Sequence, residues 1–334
     1  MPVPMRQSAR IGWYLARQKM ARREKFPLIV ELEPLFQCNL ACPGCGKIQQ
    51  PEPLLRQRMP VEQAIEAVME CGAPMVSIAG GEPLIHPEIH TIARKLIERK
   101  RFVYLCTNAL LLEKKMSNFT PSPYFSWVVH MDGLREAHDK AVDRDGVFDK
   151  AVEAIRAAKQ AGFRVTTNTT VFTTDSPSTV EKVLNFLNDE LEVDQMMIAP
   201  AYAYEKAPDQ EHFLGVRQTR ELFSKAFAGG NRKRWRLNHT PLYLDFLEGK
   251  IEMECTAWGI PSYSLLGWQR PCYLMADGYV KTYKELIEST DWEKYGRGKD
   301  PRCENCMAHC GYEPSAVIAT THSLRESLRA MVSQ

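Results

Sequence analysis

Six short apolar runs, each separated from the next by a longer amphipathic stretch, set the main limit on what this chain can fold into. The runs are Leu28–Leu35, Met75–Ala79, Phe102–Thr107, Trp127–Met131, Arg164–Phe172 and Gln195–Ala199. Between them Val61, Ala64, Ile65, Val68 and Met69 recur with the 3.6-residue period of a helix. Phe148, Val152 and Ile155 do the same, and so do Val180, Val183, Leu184 and Leu187. Pro60 and Pro177 sit near the starts of two of these stretches, where a missing N–H costs a helix little. Strands alternating with helices build a parallel α/β sheet through right-handed crossovers. Sites in such folds gather at the C-terminal ends of the strands. The alternation stops near Pro200.

The flanks differ from this middle part. We divide the chain into an N-terminal basic helical segment over 1–26, an α/β unit over 27–205 and a cysteine-rich C-terminal domain over 206–334. From Arg6 to Lys25 the first segment carries Arg6, Arg10, Arg17, Lys19, Arg22, Arg23 and Lys25 against the single acid Glu24, with Ile11, Trp13, Tyr14, Leu15 and Met20 interleaved. Two readings stand: a helix docked on the core with its basic face in water, or an interfacial helix on anionic lipid. Farther on, the run Arg232-Lys233-Arg234-Trp235-Arg236 reads as a solvated face. The formal net charge of +2 gives no global field that would point to nucleic acid. No run of eighteen apolar residues suggests a membrane span, and Met1–Arg10 has no secretory core, so the expected location is cytoplasmic, with peripheral contact at the inner membrane face under the lipid reading. Ten cysteines in such a chain point to metal sites or free thiols rather than disulfides.

Three of those cysteines, Cys38, Cys42 and Cys45, have the spacing C-x3-C-x2-C directly after the first strand-like run. Three thiolates on a tight loop suit a cubane [4Fe–4S] cluster, since soft sulfur ligands select iron–sulfur or zinc. Three ligands leave one of four irons open, and an open position is where a bound small molecule can react. A second group, Cys255, Cys272, Cys303, Cys306 and Cys310, contains a C-x2-C knuckle and reads as a second metal site, either another iron–sulfur cluster or a structural zinc. Cys71, at the end of an amphipathic stretch, reads as an inert buried thiol.

C-x3-C-x2-C after a first strand resembles the signature of the radical S-adenosylmethionine (SAM) enzymes. One departure is visible: the residue before the third cysteine is usually aromatic in that family and here is Gly44. The resemblance continues in Ala79-Gly80-Gly81-Glu82-Pro83, in Thr107-Asn108-Ala109, in His130-Met131-Asp132-Gly133 with His138-Asp139 and Gly146-Val147-Phe148, and in Asn168-Thr169-Thr170. It implies a partial (β/α)6 barrel with a small Cys-rich C-terminal module. It also implies SAM contacts at Gly80, Gly81, Glu82, Asn108, His130, Asp132 and Asn168, with Glu82 near the SAM ammonium. In that family SAM chelates the open iron, and the reduced cluster cleaves it to a 5′-deoxyadenosyl radical. The segments Leu242–Leu247, Gly267–Leu274 and Cys303–Gly311 resemble the adenosylhopane-forming enzymes of that superfamily. The implied reaction is addition of the radical to the alkene of hopene, a hydrophobic triterpene, with flavodoxin or ferredoxin as electron donor. Strand parity puts Tyr104, Cys106 and Asn108 on one face. If Asn108 faces the SAM pocket, Cys106 shares it and is the expected hydrogen-atom donor. The alternative is a radical SAM enzyme that modifies a peptide or protein and carries an auxiliary cluster. A third reading is a non-catalytic iron–sulfur or zinc interaction module.

Overall fold

The computed structural model describes residues 4–202 and 204–321. Residues 1–3 of the basic segment and 322–334 of the C-terminal domain lie outside the described residues. Six parallel strands run in sequence order: β1 (Ile29–Glu33), β2 (Met75–Ile78), β3 (Phe102–Thr107), β4 (Phe125–His130), β5 (Arg164–Val171) and β6 (Gln195–Pro200). Helices Val61–Cys71, Ile89–Glu98, Val147–Gln160 and Pro177–Asn185 cross between them. The helix-facing side of the strands is dry: Val30, Leu32, Val76, Ile78, Val103, Leu105, Trp127, Val129, Val165 and Ile198 are at most 1% exposed. The opposite parity faces inward; Phe102, Tyr104, Ser126, Val128 and Thr166 there are buried, while Glu31, Ser77, Cys106, His130, Asn168 and Met197 are only half-buried. This contrast defines a lumen on the concave side of the sheet.

The sequence reading separates the C-terminal region from the barrel. The structure joins them in one sheet. β7 (Ser262–Ser264) pairs parallel with β1, and β8 (Gly267–Cys272) and β9 (Met275–Val280) extend the sheet as an antiparallel hairpin, giving the order β6-β5-β4-β3-β2-β1-β7-β8-β9. The cysteine-bearing hairpin is thus held one strand away, across β7, from β1, the strand that leads into the first cysteine loop.

Helix α1 (Met5–Met20) closes the other end of the barrel. Gln7 Nε2 donates to Tyr104 Oη at 2.9 Å, and the Tyr14 hydroxyl donates to Pro27 O at 2.6 Å. Its inward face therefore carries a polar plug, Gln7, and not a purely apolar stripe. The basic run near 234 is solvated at Lys233, Arg234 and Arg236, which are exposed, and departs from expectation at two positions. Trp235 is 4% exposed, and Arg232 forms ion pairs with Asp245 at 2.7 Å and Glu248 at 2.5 Å. Two carboxylates and a buried indole pin the loop to the core beneath its solvated cations. Cys71 is buried, as expected, and burial pushes its thiol up to about 12. Among the described residues no helix is long and apolar enough to cross a membrane.

Candidate active site

The loop after β1 carries Cys38, Cys42 and Cys45. A turn with Cys45 N donating to Cys42 O at 3.0 Å draws the last two together, and Leu40 N donates to Cys38 Sγ at 3.4 Å. Burial pushes the thiols up, Cys38 to about 11 and Cys42 to about 12, and each is raised further by neighbouring cysteines. A bound cation would reverse that penalty on the thiolates. No three His, Cys, Asp or Glu side chains among the described residues stand in metal-binding geometry as they are. The donor chemistry nonetheless suits an iron–sulfur cluster: three thiols gathered on a turn at the C-terminal end of β1.

Gly80 and Gly81 have a defined task in packing the cysteine loop. A Cβ at Gly80 would lie 2.3 Å from Leu35 O, and one at Gly81 would lie 2.0 Å from Gln37 O. The end of β2 thus runs against the backbone that leads into Cys38. Gly81 N donates to Leu35 O at 3.0 Å and Glu82 N to Gln37 O at 2.9 Å. Glu82 continues the clamp. Its carboxylate accepts from Leu84 N at 3.0 Å, Thr107 Oγ1 at 2.9 Å and Asn108 N at 2.8 Å. At 1% exposure, the partners it has are the chain's own. Burial pushes the Glu82 carboxyl up to about 7, against the pull of those hydrogen bonds. Asn108 donates to Asn39 Oδ1 at 2.7 Å, with its Nδ2 also 3.8 Å from Cys38 Sγ. These residues form the wall that holds the cysteine loop.

Half-buried His130 and buried Asp132 form a pair with Nε2 and Oδ2 2.5 Å apart. Burial opposes the imidazolium, but the Asp132 carboxylate outweighs it and holds the His130 pKa above its ordinary value. Asp132 also accepts from Thr170 N at 2.7 Å, which ties the ends of β4 and β5 together. His138 accepts from Asp132 N through Nδ1 at 3.1 Å, and burial lowers it to about 4, so it stays neutral. Asp139 caps the next helix by accepting from Gly146 N and Phe148 N. Asn168 sits opposite His130 in register, facing the lumen.

Cys106 also faces the lumen, 3.7 Å from Ser77 Oγ and packed against the cluster Phe102, Tyr104 and Val128, to which Met75 and Met197 also belong. Burial pushes its thiol up to about 12, with Glu31 and Glu82 adding to the rise.

The five C-terminal cysteines come from three places. Cys255 precedes β7, Cys272 ends β8, and Cys303, Cys306 and Cys310 lie on the turn and first helical residues that follow. Burial raises all five, and neighbouring cysteines raise Cys255, Cys272, Cys306 and Cys310 further. As they stand, these five thiols are not in metal-binding geometry among the described residues.

Sequence reasoning missed the link between the two cysteine groups. Lys47 pairs with the fully buried Glu33 at 2.9 Å and lies 3.8 Å from the centroid of the Tyr273 ring. Tyr273 follows Cys272, and Lys47 follows Cys45 by two residues. The available signal was a pair of acids, Glu31 and Glu33, at alternating positions in an otherwise apolar strand.

With this geometry, the comparisons with known proteins agree. Residues 32–187 match the radical SAM superfamily. Residues 32–187 are a radical SAM domain. Its cofactors are the family's [4Fe–4S] cluster and SAM. Residues 196–330 match a domain of unknown function, DUF3463. The chain is 26% identical over 147 residues to the Fe-coproporphyrin III synthase of Methanosarcina barkeri, covering 43% of this chain and 36% of that protein. It is 30% identical over 155 residues to GTP 3',8-cyclase 1 of Mycobacterium tuberculosis, covering 43% of this chain and 42% of that one. The chain thus spans less than half of either relative. Among solved structures, Streptococcus suis SuiB bound to precursor peptide SuiA superposes with a TM-score of 0.67 at 17% identity, over 92% of this chain and 76% of that one. Native anSMEcpe with bound AdoMet superposes with a TM-score of 0.58 at 17% identity, over 92% of this chain and 100% of that one. These two likenesses concern the fold.

Proposed function

We propose that this radical SAM domain adds a nucleoside radical to the alkene of a hydrophobic triterpene of the hopene type, with Cys106 supplying the closing hydrogen atom. When bound, the reduced cluster and SAM supply that radical. The observation that carries the reading is Cys106 itself. It is a lumen-facing thiol that burial keeps protonated, set among Phe102, Tyr104, Val128, Met75 and Met197. A hydrogen-atom donor must hold its S–H, and the apolar cluster beside Cys106 suits a hydrocarbon. Radical addition to an alkene leaves a carbon radical. Transfer of hydrogen from Sγ saturates that carbon and leaves a thiyl radical. One electron from flavodoxin or ferredoxin and one proton from water return it to the thiol. Cys106→Ala is expected to keep SAM cleavage and lose the saturated adduct. Wild-type yield of the saturated adduct from that variant would return Cys106 to a packing role.

A second reading has its own support. The donor chemistry of the five C-terminal cysteines suits an auxiliary cluster, and the solved structures resembled over nine-tenths of the chain include SuiB with its precursor peptide. The comparisons therefore lean toward a peptide- or protein-modifying enzyme, whereas the apolar cluster beside Cys106 leans toward a hydrocarbon. Mass analysis of products from hopene under reducing, anaerobic conditions separates the two. A nucleoside adduct supports the first, and 5′-deoxyadenosine without adduct supports the second.

Access to a membrane-borne substrate fits α1. At 100° per residue, Met5, Ala9, Ala16, Met20 and Trp13 fall on one outward stripe, bordered by Arg6, Arg10 and Arg17. Met5, Trp13 and Met20 are 70%, 64% and 68% exposed. Apolar side chains beside cations suit an anionic lipid surface, each cation contributing about 1 kcal/mol there. Co-sedimentation with phosphatidylglycerol vesicles at low salt is expected for wild type and reduced by Trp13→Glu. Equal binding by both would remove this part of the proposal.

A further inference from the structure

Gly44 marks the place where this chain leaves its family's pattern, and the structure fills that place from elsewhere. A Cβ at Gly44 would lie 3.4 Å from Phe172 Cε1, 3.7 Å from Phe172 Cζ and 4.0 Å from Phe213 Cζ. Two phenyl rings, with centroids 6.4 Å apart, thus stand beside the residue that precedes the third cysteine. Phe172 directly follows β5 and continues the inward parity of Asn168 and Thr170. Both rings are half-buried, so each keeps an open side. They are also held in place. Phe172 N donates to Asp175 Oδ2 at 2.9 Å, Thr173 N to His212 O at 3.1 Å, and Asp209 N to Pro43 O at 2.9 Å. The last bond ties the segment leading to Phe213 to the cysteine loop.

Gly44 is not in the left-handed region, so its backbone does not require glycine. A Cβ there would meet the Phe172 ring only at ordinary van der Waals distance, so a small side chain fits; an aromatic ring at 44, reaching farther, and the Phe172 ring would compete for the same volume. We propose that Phe172, backed by Phe213, supplies from the end of β5 the aromatic wall for the adenine of SAM that most family members carry on the cluster loop. The inference rests on the radical SAM assignment and does not depend on the identity of the second substrate. Its chemical sense is that a purine offers a flat π face, which an aromatic ring holds whatever strand it comes from.

The test is a swap. SAM affinity is measured by anaerobic equilibrium dialysis on the full chain with its cluster reconstituted, with iron content and the 400-nm region absorbance as controls. Base–aromatic stacking predicts that Phe172→Ala weakens SAM binding by about tenfold. Gly44→Tyr alone should also weaken it, because the new ring meets Phe172. The double variant Gly44→Tyr/Phe172→Ala, with one ring restored to the same volume, should recover affinity to within about threefold of wild type. Methionine, which lacks the purine, should bind wild type and Phe172→Ala alike. Unchanged SAM affinity in Phe172→Ala, or a double variant as weak as the two single losses combined, overturns the proposal. So does a fall in methionine affinity that matches the fall for SAM, because Phe172 is then only scaffold. Wild-type protein that holds its cluster and binds no SAM overturns the radical SAM assignment itself, and this inference with it.

Discussion

Replacing Glu82 separates a clamp from a ligand contact. Its carboxylate accepts three hydrogen bonds at 1% exposure, two of them from backbone N–H groups of Leu84 and Asn108. Glu82→Ala leaves both amides buried without an acceptor, while the Thr107 hydroxyl can turn elsewhere. At about 1–3 kcal/mol for each stranded buried donor, the expected loss is about 4 kcal/mol. Glu82→Gln keeps one oxygen for Leu84 N and Thr107 Oγ1 but sets an NH2 group against Asn108 N, a single mismatch costing about 2 kcal/mol. The order of stability is therefore wild type, then Gln, then Ala. Urea unfolding of anaerobic, cluster-loaded protein measures it through the midpoint at constant slope. Because Glu82 N also holds Gln37 O, next to Cys38, iron content should fall in the alanine variant. An alanine variant that unfolds at the wild-type urea concentration and has lost only SAM affinity would refute the clamp and return Glu82 to the SAM ammonium.

The remaining predictions concern the lumen and the second cysteine group. Burial raises the Glu31 carboxyl from its ordinary 4.5 to about 8, so the folded chain keeps a proton that the unfolded chain releases. That contribution to stability is complete below 4.5 and is lost as pH rises through about 8; Glu31→Gln should flatten the decline, read from urea midpoints at pH 5 and pH 8. Lys47→Met leaves the fully buried Glu33 carboxyl without its cation, and should cost about 3–5 kcal/mol in the same assay. Protein lacking Cys38, Cys42 and Cys45 should still carry metal at Cys255, Cys272, Cys303, Cys306 and Cys310: iron with sulfide for an auxiliary cluster, zinc for a structural site. Neither element in that variant would count against a second metal site.

Much of this was legible in the residues, and the parts that were not share a cause. The six parallel strands follow from apolar runs of the right length, and β3 spans the same residues as its run, Phe102–Thr107. The cysteine spacing is local, so its loop was readable. What escaped was long-range pairing. Nothing near Ser262 announces that β7 adds to β1, because a three-residue strand carries almost no periodic signal. Gly80 and Gly81 were legible as a close approach, but not the object approached, the backbone at Leu35 and Gln37. Arg232 looked solvated because its carboxylate partners, Asp245 and Glu248, lie 13 and 16 residues away. Phe172 was visible as the end of a strand and silent about Gly44, since 128 residues separate them.

The central claim is that Cys38, Cys42 and Cys45 hold the cluster at which SAM is cleaved. The most direct measurement is the release of methionine and 5′-deoxyadenosine from SAM under reducing, anaerobic conditions, by wild type and by the Cys38→Ala/Cys42→Ala/Cys45→Ala variant. The account predicts release by wild type and none above background by the variant, even if the variant keeps metal at its C-terminal cysteines. Release at the wild-type rate from the triple variant would contradict it.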